Sequence, residues 1–192
     1  MNVWILYANG YRRRGLSIYR EHLKRILSSY QEGAPLPRVD DKIVRRSYPV
    51  ADFVSTGGGS IAISDHAIAM LRDLIEPHVE LIPLLKMGKK YYSLLNVTAR
   101  VDCIDEERSQ LLRARDEDRI LTVSTYGLKN LENVPPIFMP LTCPDEAFVT
   151  SEVVECVVDH KLTGAMFRDP AKGYFSYLFD GPYVNEIPGA IP

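Results

Sequence analysis

Apolar positions change period along this chain, and the clearest change runs from Ile61 to Val97. Ile61-Ala62-Ile63 is a β-run that stops at Ser64-Asp65, a pair suited to a helix N-cap and to the positive end of the helix dipole. Ala67, Ile68, Leu71, Leu74 and Ile75 then recur at three- and four-residue steps, with Arg72, Asp73 and Glu76 opposite, which predicts an amphipathic helix over 65–76. Pro77 ends it by disfavouring helical geometry at the residue before it. Val79 to Met87 returns to strand spacing, Gly88-Lys89 supplies a tight turn, and Tyr91 to Val97 is the partner strand.

The same logic extends outward. Residues 3–8 read as a first strand, and Leu16, Tyr19, Leu23, Ile26, Leu27 and Tyr30 predict a basic amphipathic helix over 16–30. Val50 to Val54 begins a short strand before the Gly57-Gly58-Gly59 connection. Val97, Ala99, Val101 and Cys103 alternate with polar residues and carry the strand after the hairpin onward, with Cys103 in the core. Asp105 to Ser109 and Asp116 to Arg119 flank Leu111-Leu112 as a short helix or an exposed carboxylate-rich loop. Ile120 to Thr125 is β-branched strand sequence followed by Gly127, and Ile137 to Pro140 reads as a proline-bounded edge strand. A second strand-to-helix passage follows: Ala147 to Thr150, then a helix over 152–162 with Val153, Val154, Val157, Val158 and Leu162 inward. Ala165-Met166-Phe167 resumes a strand, and the aromatic tail from Gly173 either packs or forms a contact surface. The expectation is one α+β domain over 1–192, a largely antiparallel twisted sheet packed by about three helices.

Composition changes this picture little. The 192 residues are 46% hydrophobic and 25% charged, ordinary for a globular chain able to bury roughly 70% of its unfolded surface. No segment approaches the ~20 apolar residues of a membrane helix, and no basic residue precedes the first apolar run, so neither a membrane partner nor a signal peptide is expected. Three cysteines at wide spacing fit a reducing compartment, and the cytosol is the expected location. Charge is uneven: residues 1–46 hold 10 Lys/Arg against 4 Asp/Glu, a net +6, and the remainder holds 13 against 21, a net −8. The residues Arg12, Arg13, Arg14, Arg20, Lys24 and Arg25 support an alternative reading as a nucleic-acid-binding module. That helix lacks interleaved aromatic stacking positions, however, and direct nucleic-acid binding is not the expectation.

The residues required for common reactions do not assemble in the sequence. Cys156 and His160 stand at a helical i, i+4 step, but two ligands are too few for zinc and Cys156 sits among valines, so a packed thiol is expected. The glycine triplet lacks phosphate-loop spacing, and no nucleophile elbow or His-Glu-x-x-His pattern occurs. Carboxylates are dense from Asp102 to Asp118, whereas an acid/base pair needs differential burial. No cofactor, metal or catalytic residue is expected.

Several fragments in order carry a family likeness: Ile63-Ser64-Asp65, Glu80-Leu81-Ile82-Pro83, Tyr91 to Val97, Val101-Asp102-Cys103-Ile104-Asp105-Glu106-Glu107-Arg108-Ser109, Pro136-Ile137-Phe138, Phe148 to Glu152 and Leu162 to Phe167. Together, over Val50 to Phe167, they resemble the Imm11 (DUF1629) family of bacterial polymorphic-toxin immunity proteins. The resemblance implies a non-enzymatic protein that binds and neutralises a cognate secreted or contact-delivered toxin, encoded by a neighbouring gene, through stoichiometric occlusion. No binding site transfers with it. For partner binding the expectation rests on Asp102, Asp105, Glu106, Glu107, Asp116, Glu117 and Asp118, an acidic face able to mimic the phosphates that a basic nuclease toxin engages.

Overall fold

The computed structural model describes residues 2–8, 16–18, 44–46, 51–56, 60–87, 89–113, 120–142 and 146–172. Among them stand β1 (Val3–Ala8), β2 (Leu16–Ile18), β3 (Val44–Arg46), β4 (Phe53–Ser55), β5 (Ile61–Ser64), α1 (Asp65–Ile75), β6 (Val79–Met87), β7 (Lys90–Val97), β8 (Arg100–Val101), β9 (Ile104–Arg113), β10 (Ile120–Leu128), β11 (Ile137–Pro140), β12 (Ala147–Thr150), α2 (Ser151–Asp159) and β13 (Ala165–Arg168). The class is α+β, with mostly antiparallel sheets and two α-helices among the described residues.

A five-stranded sheet, ordered β13-β1-β12-β11-β8, has both faces buried. Side chains alternate along β1, so Leu6 joins Ala147, Val149, Ile137, Ala165 and Phe167 on the face toward the helices. Val3 and Ile5 join Phe148 and Phe138 on the other face, beneath β9 and β10. A four-stranded antiparallel sheet, β4-β5-β7-β6, completes the first core: Phe53, Ile61, Ile63 and Val97 meet Ala67, Leu71 and Ile75 of α1 and Val153, Val154 and Val157 of α2.

The two strand-to-helix passages form as expected, each a fully buried four-residue strand running directly into a helix. Ser64 Oγ accepts the Ala67 N–H at 3.1 Å as an N-cap, whereas the Thr150 side chain makes no cap hydrogen bond. The first passage is locked to the chain after α2 by Asp52. Its carboxylate accepts the Ser64 hydroxyl at 2.8 Å, the Lys90 ammonium at 2.7 Å, and the backbone N–H and hydroxyl of Thr163, both at 2.9 Å. Burial alone would raise the Asp52 carboxyl, but Lys90, the Thr163 N–H and the two hydroxyls outweigh it and hold the group below its ordinary value. Burial and the charges of Asp52 and Asp65 push the Tyr92 phenol upward, so it keeps its proton and donates to the Ala51 carbonyl at 2.8 Å.

Five local expectations are corrected. Leu16–Ile18 is not the start of a helix but strand β2, paired antiparallel with β3; the rest of the 16–30 segment lies outside the described residues. The strand after the hairpin does not run on to Cys103, because the N–H groups of Thr98 and Ala99 both turn to the His78 carbonyl and only Arg100–Val101 re-form a strand, parallel to β11. The acidic stretch from Asp105 is strand β9 rather than helix or loop. β11 is not an edge strand but lies between β12 and β8; Met139 and Leu141 donate to Ala99 and Val101 on either side of Pro140, so the missing proline N–H falls where no ladder bond is needed. Val158 is 46% exposed, one step around α2 beyond the arc that Val153, Val154 and Val157 bury, and α2 stops at Asp159 rather than 162. The aromatic tail lies outside the described residues.

Candidate partner-binding site

The hairpin of β9 and β10 presents the acidic residues singled out by the sequence. Its ladder runs Ile120↔Arg113, Thr122↔Leu112, Val123↔Leu111 and Thr125↔Gln110, then resumes at Gly127↔Asp105 and Leu128↔Ile104. Four residues, Glu106 to Ser109, therefore stand opposite Tyr126 alone, and β9 bulges outward. Asp105 builds the bulge. Its Oδ1 accepts the N–H groups of Glu107 at 3.2 Å and Arg108 at 3.3 Å, while its carbonyl accepts the Ser109 hydroxyl at 2.6 Å. The Gly127 N–H donates to Ser109 Oγ at 2.9 Å from the opposite strand. Only glycine fits there, since a Cβ on Gly127 would lie 2.4 Å from the Arg108 Cβ and 2.8 Å from the Arg108 carbonyl carbon.

Four of the seven acidic residues are thereby placed. Glu106 and Glu107 are exposed on the bulge, Glu106 in an ion pair with Arg113. Asp102 is exposed before β9, with its carboxylate 3.4 Å from the Lys129 ammonium. Asp105 is half-buried and committed to the turn. Asp116, Glu117 and Asp118 lie outside the described residues, as do Arg12, Arg13, Arg14, Arg20, Lys24 and Arg25 of the alternative reading. Leu112 is 58% exposed on the same strand and Leu111 packs inward, the ordinary alternation of a half-buried strand.

Beneath the hairpin lies a buried polar group that the sequence reading missed. The hydroxyls of Tyr7 and Tyr126 both donate to the Glu146 carboxylate, Tyr126 at 2.7 Å, and Arg168 Nη2 donates to the same carboxylate at 2.9 Å. The Arg168 guanidinium sits 5.6 Å from the Tyr7 ring centroid and 5.9 Å from that of Tyr126. The available signal was an arginine closing the otherwise apolar run Ala165-Met166-Phe167. Such a paired and hydrogen-bonded charge fixes β1, β10 and β13 relative to one another.

A cleft of about 370 Å³ opens beside the bulge, lined by Asn2 to Trp4, Arg108, Tyr126 to Leu128, Leu131 and Asp169 to Ala171. Four separate stretches of the chain form it, which is why no local pattern announces it. The Pro170 carbonyl accepts the Tyr126 N–H at 2.9 Å, and Asp169 Oδ1 accepts the Ala171 N–H at 2.9 Å, so the far wall is a fixed turn.

Among the described residues the thiols are Cys103 and Cys156, and neither is activated. Burial, then the charge of Asp102, pushes the Cys103 thiol up to about 11. Burial and Asp159 also raise Cys156, whose sulfur lies 3.4 Å from the Met70 carbonyl and 3.6 Å from His160 Nδ1. Among the described residues no three His, Cys, Asp or Glu gather as a metal site, and no helix is long and apolar enough to cross a membrane.

A search of curated proteins finds no match to the chain. The family model described as "Immunity protein family (Imm11)" matches residues 85–172. This interval contains the hairpin, its bulge, α2 and most of the cleft, while the earlier likeness at Ile63 to Asp65 and Glu80 to Pro83 falls outside it. Over residues 85–172 the chain is thus similar to the Imm11 immunity protein family, and that likeness implies toxin immunity in general terms.

Proposed function

We propose that this chain binds a cognate protein toxin, encoded by a neighbouring gene, and neutralises it by stoichiometric occlusion in the cytoplasm rather than by catalysis. The observation that carries the reading is the Imm11 match over 85–172, an interval that contains the β9–β10 hairpin. In this reading the charges of Asp102, Asp105, Glu106, Glu107, Asp116, Glu117 and Asp118 steer a basic toxin surface. Exposed ion pairs such as Asp102 with Lys129 and Glu106 with Arg113 contribute only about 0–1 kcal/mol each, so these carboxylates can exchange partners at small cost. Asp105 supports the reading differently, by shaping the bulge that carries Glu106 and Glu107 outward.

The test is growth of cells expressing the neighbouring gene's product with and without this chain, together with co-purification of the two. Rescue with a tight complex supports the reading; full toxicity beside abundant folded chain refutes it. Reversing Glu106 and Glu107 to lysine should slow association by on the order of tenfold at low salt and flatten its salt dependence. Unchanged kinetics in the folded variant would remove the bulge from the interface.

A further inference from the structure

Arg108 is the cation of the bulge, set among the acidic positions Asp105, Glu106 and Glu107. Its backbone N–H is held by Asp105, and its side chain is exposed on the wall of the cleft. Among the described residues its guanidinium has no hydrogen bond and no ion pair. The cations of the surrounding frame contrast with it: Arg113 meets Glu106, Lys129 meets Asp102 and Arg168 meets Glu146. Asp169, the carboxylate in the cleft lining, is engaged by the Ala171 N–H, and no ion pair joins it to Arg108. The remaining wall mixes the apolar Val3, Leu128, Leu131 and Pro170 with the polar Asn2 and Tyr126. The position of Arg108 is fixed from behind by Gly127, whose missing side chain lets the two strands close together.

From this geometry we infer that the cleft is a second docking point for the protein toxin, in which Arg108 receives a carboxylate side chain of the toxin while an adjoining toxin side chain enters the cleft. A guanidinium offers a planar fork of donors matched to a carboxylate, and two parallel N–H···O bonds add geometric specificity to the pair. The volume of about 370 Å³ suits one or two side chains rather than a folded element. The acidic bulge and the Arg108 guanidinium stand side by side, so a toxin surface that meets both must present the reverse order of charge. That alternation sets register and excludes a merely basic partner, which the acidic face alone would not do. The inference rests on the proposed immunity function and adds to it the chemistry of one contact.

The experiment measures binding of the purified neighbouring-gene product to the wild-type chain, to Arg108→Glu and to Arg108→Gln, with thermal unfolding of each as a folding control. Arg108 is exposed, so both variants should unfold like wild type. The expected result is a loss of affinity of at least tenfold for Arg108→Glu, a smaller loss for Arg108→Gln, and recovery of Arg108→Glu binding when one acidic residue of the toxin is replaced by arginine. A third variant, Arg108→Lys, places a primary amine at the contact. Carbodiimide treatment of its complex should then join position 108 to a toxin Asp or Glu through an amide, with loss of water, and mass spectrometry locates the link. Wild-type affinity in Arg108→Glu, or a complex in which position 108 forms no such link, overturns the cleft contact while leaving the immunity function standing. Failure of the wild-type chain to bind overturns both.

Discussion

Asp52 shows how much one residue decides here. It joins the N-cap of α1, the β6–β7 hairpin through Lys90, and the turn after α2 through Thr163. Asp52→Ala should cost about 3 kcal/mol, toward the lower end for breaking a buried ion pair because the Lys90 ammonium is half-exposed and turns to water. The sign of its pH dependence follows from the lowered carboxyl. Its stabilisation is fully present above the ordinary carboxylate value near 3.8 and is lost as pH falls below it through the folded-state value. The stability gap between wild type and Asp52→Asn in denaturant unfolding should therefore be level above about pH 4 and close as pH drops below it; a gap that does not change across that range would deny the charged role. Gly127 and Gly164 are the other decisive positions. Gly164 has φ +86°, and its added Cβ would lie 2.3 Å from the Phe53 carbonyl oxygen, so Gly164→Ala combines backbone strain with collision. It should destabilise by more than 1 kcal/mol, as read in chemical denaturation.

Among the elements, the two strand-to-helix passages invite a paired test because their caps differ. Ser64→Ala removes both the N-cap to Ala67 and a donor to Asp52, and should cost about 1–2 kcal/mol. Thr150→Val should be neutral or slightly stabilising, since Thr150 Oγ1 is buried with no hydrogen-bond partner and the replacement keeps its shape. Equal losses at both sites would contradict the asymmetry. These passages were legible in sequence because their apolar periodicity is local, as was the β6–β7 hairpin, where Met87 pairs with Lys90 across two residues. β9 was not. The run Asp105 to Gln110 has no apolar alternation, because its bulge and outward face have little to bury, and its strand character comes from pairing with β10. The site was legible in the same divided way: exposed acids are visible in any sequence, whereas the contacts of Asp52 with Thr163 and Glu146 with Arg168 join residues that only the fold brings together.

The whole molecule does not divide at the limits of the family match. β1 lies between β12 and β13, pairing Ile5 with Phe148 on one side and Leu6 with Phe167 on the other. α1 and β4, also outside 85–172, complete the core against which α2 packs. We therefore propose one folding unit, in which residues 85–172 alone leave β13 without a sheet and Thr163 without Asp52. Expressed by itself, that segment should show no cooperative unfolding transition, whereas the full chain should show one. The proposed function likewise belongs to the assembled molecule, because the cleft needs Asn2 to Trp4 as well as the hairpin. Its central claim is occlusion by an equimolar partner. The most direct measurement titrates the purified chain into a fixed amount of the neighbouring-gene toxin and follows the toxin's activity. Neutralisation by binding predicts a linear fall that ends at one equivalent, well above the dissociation constant; complete inhibition by a small fraction of an equivalent, or full activity with the chain in excess, would contradict it.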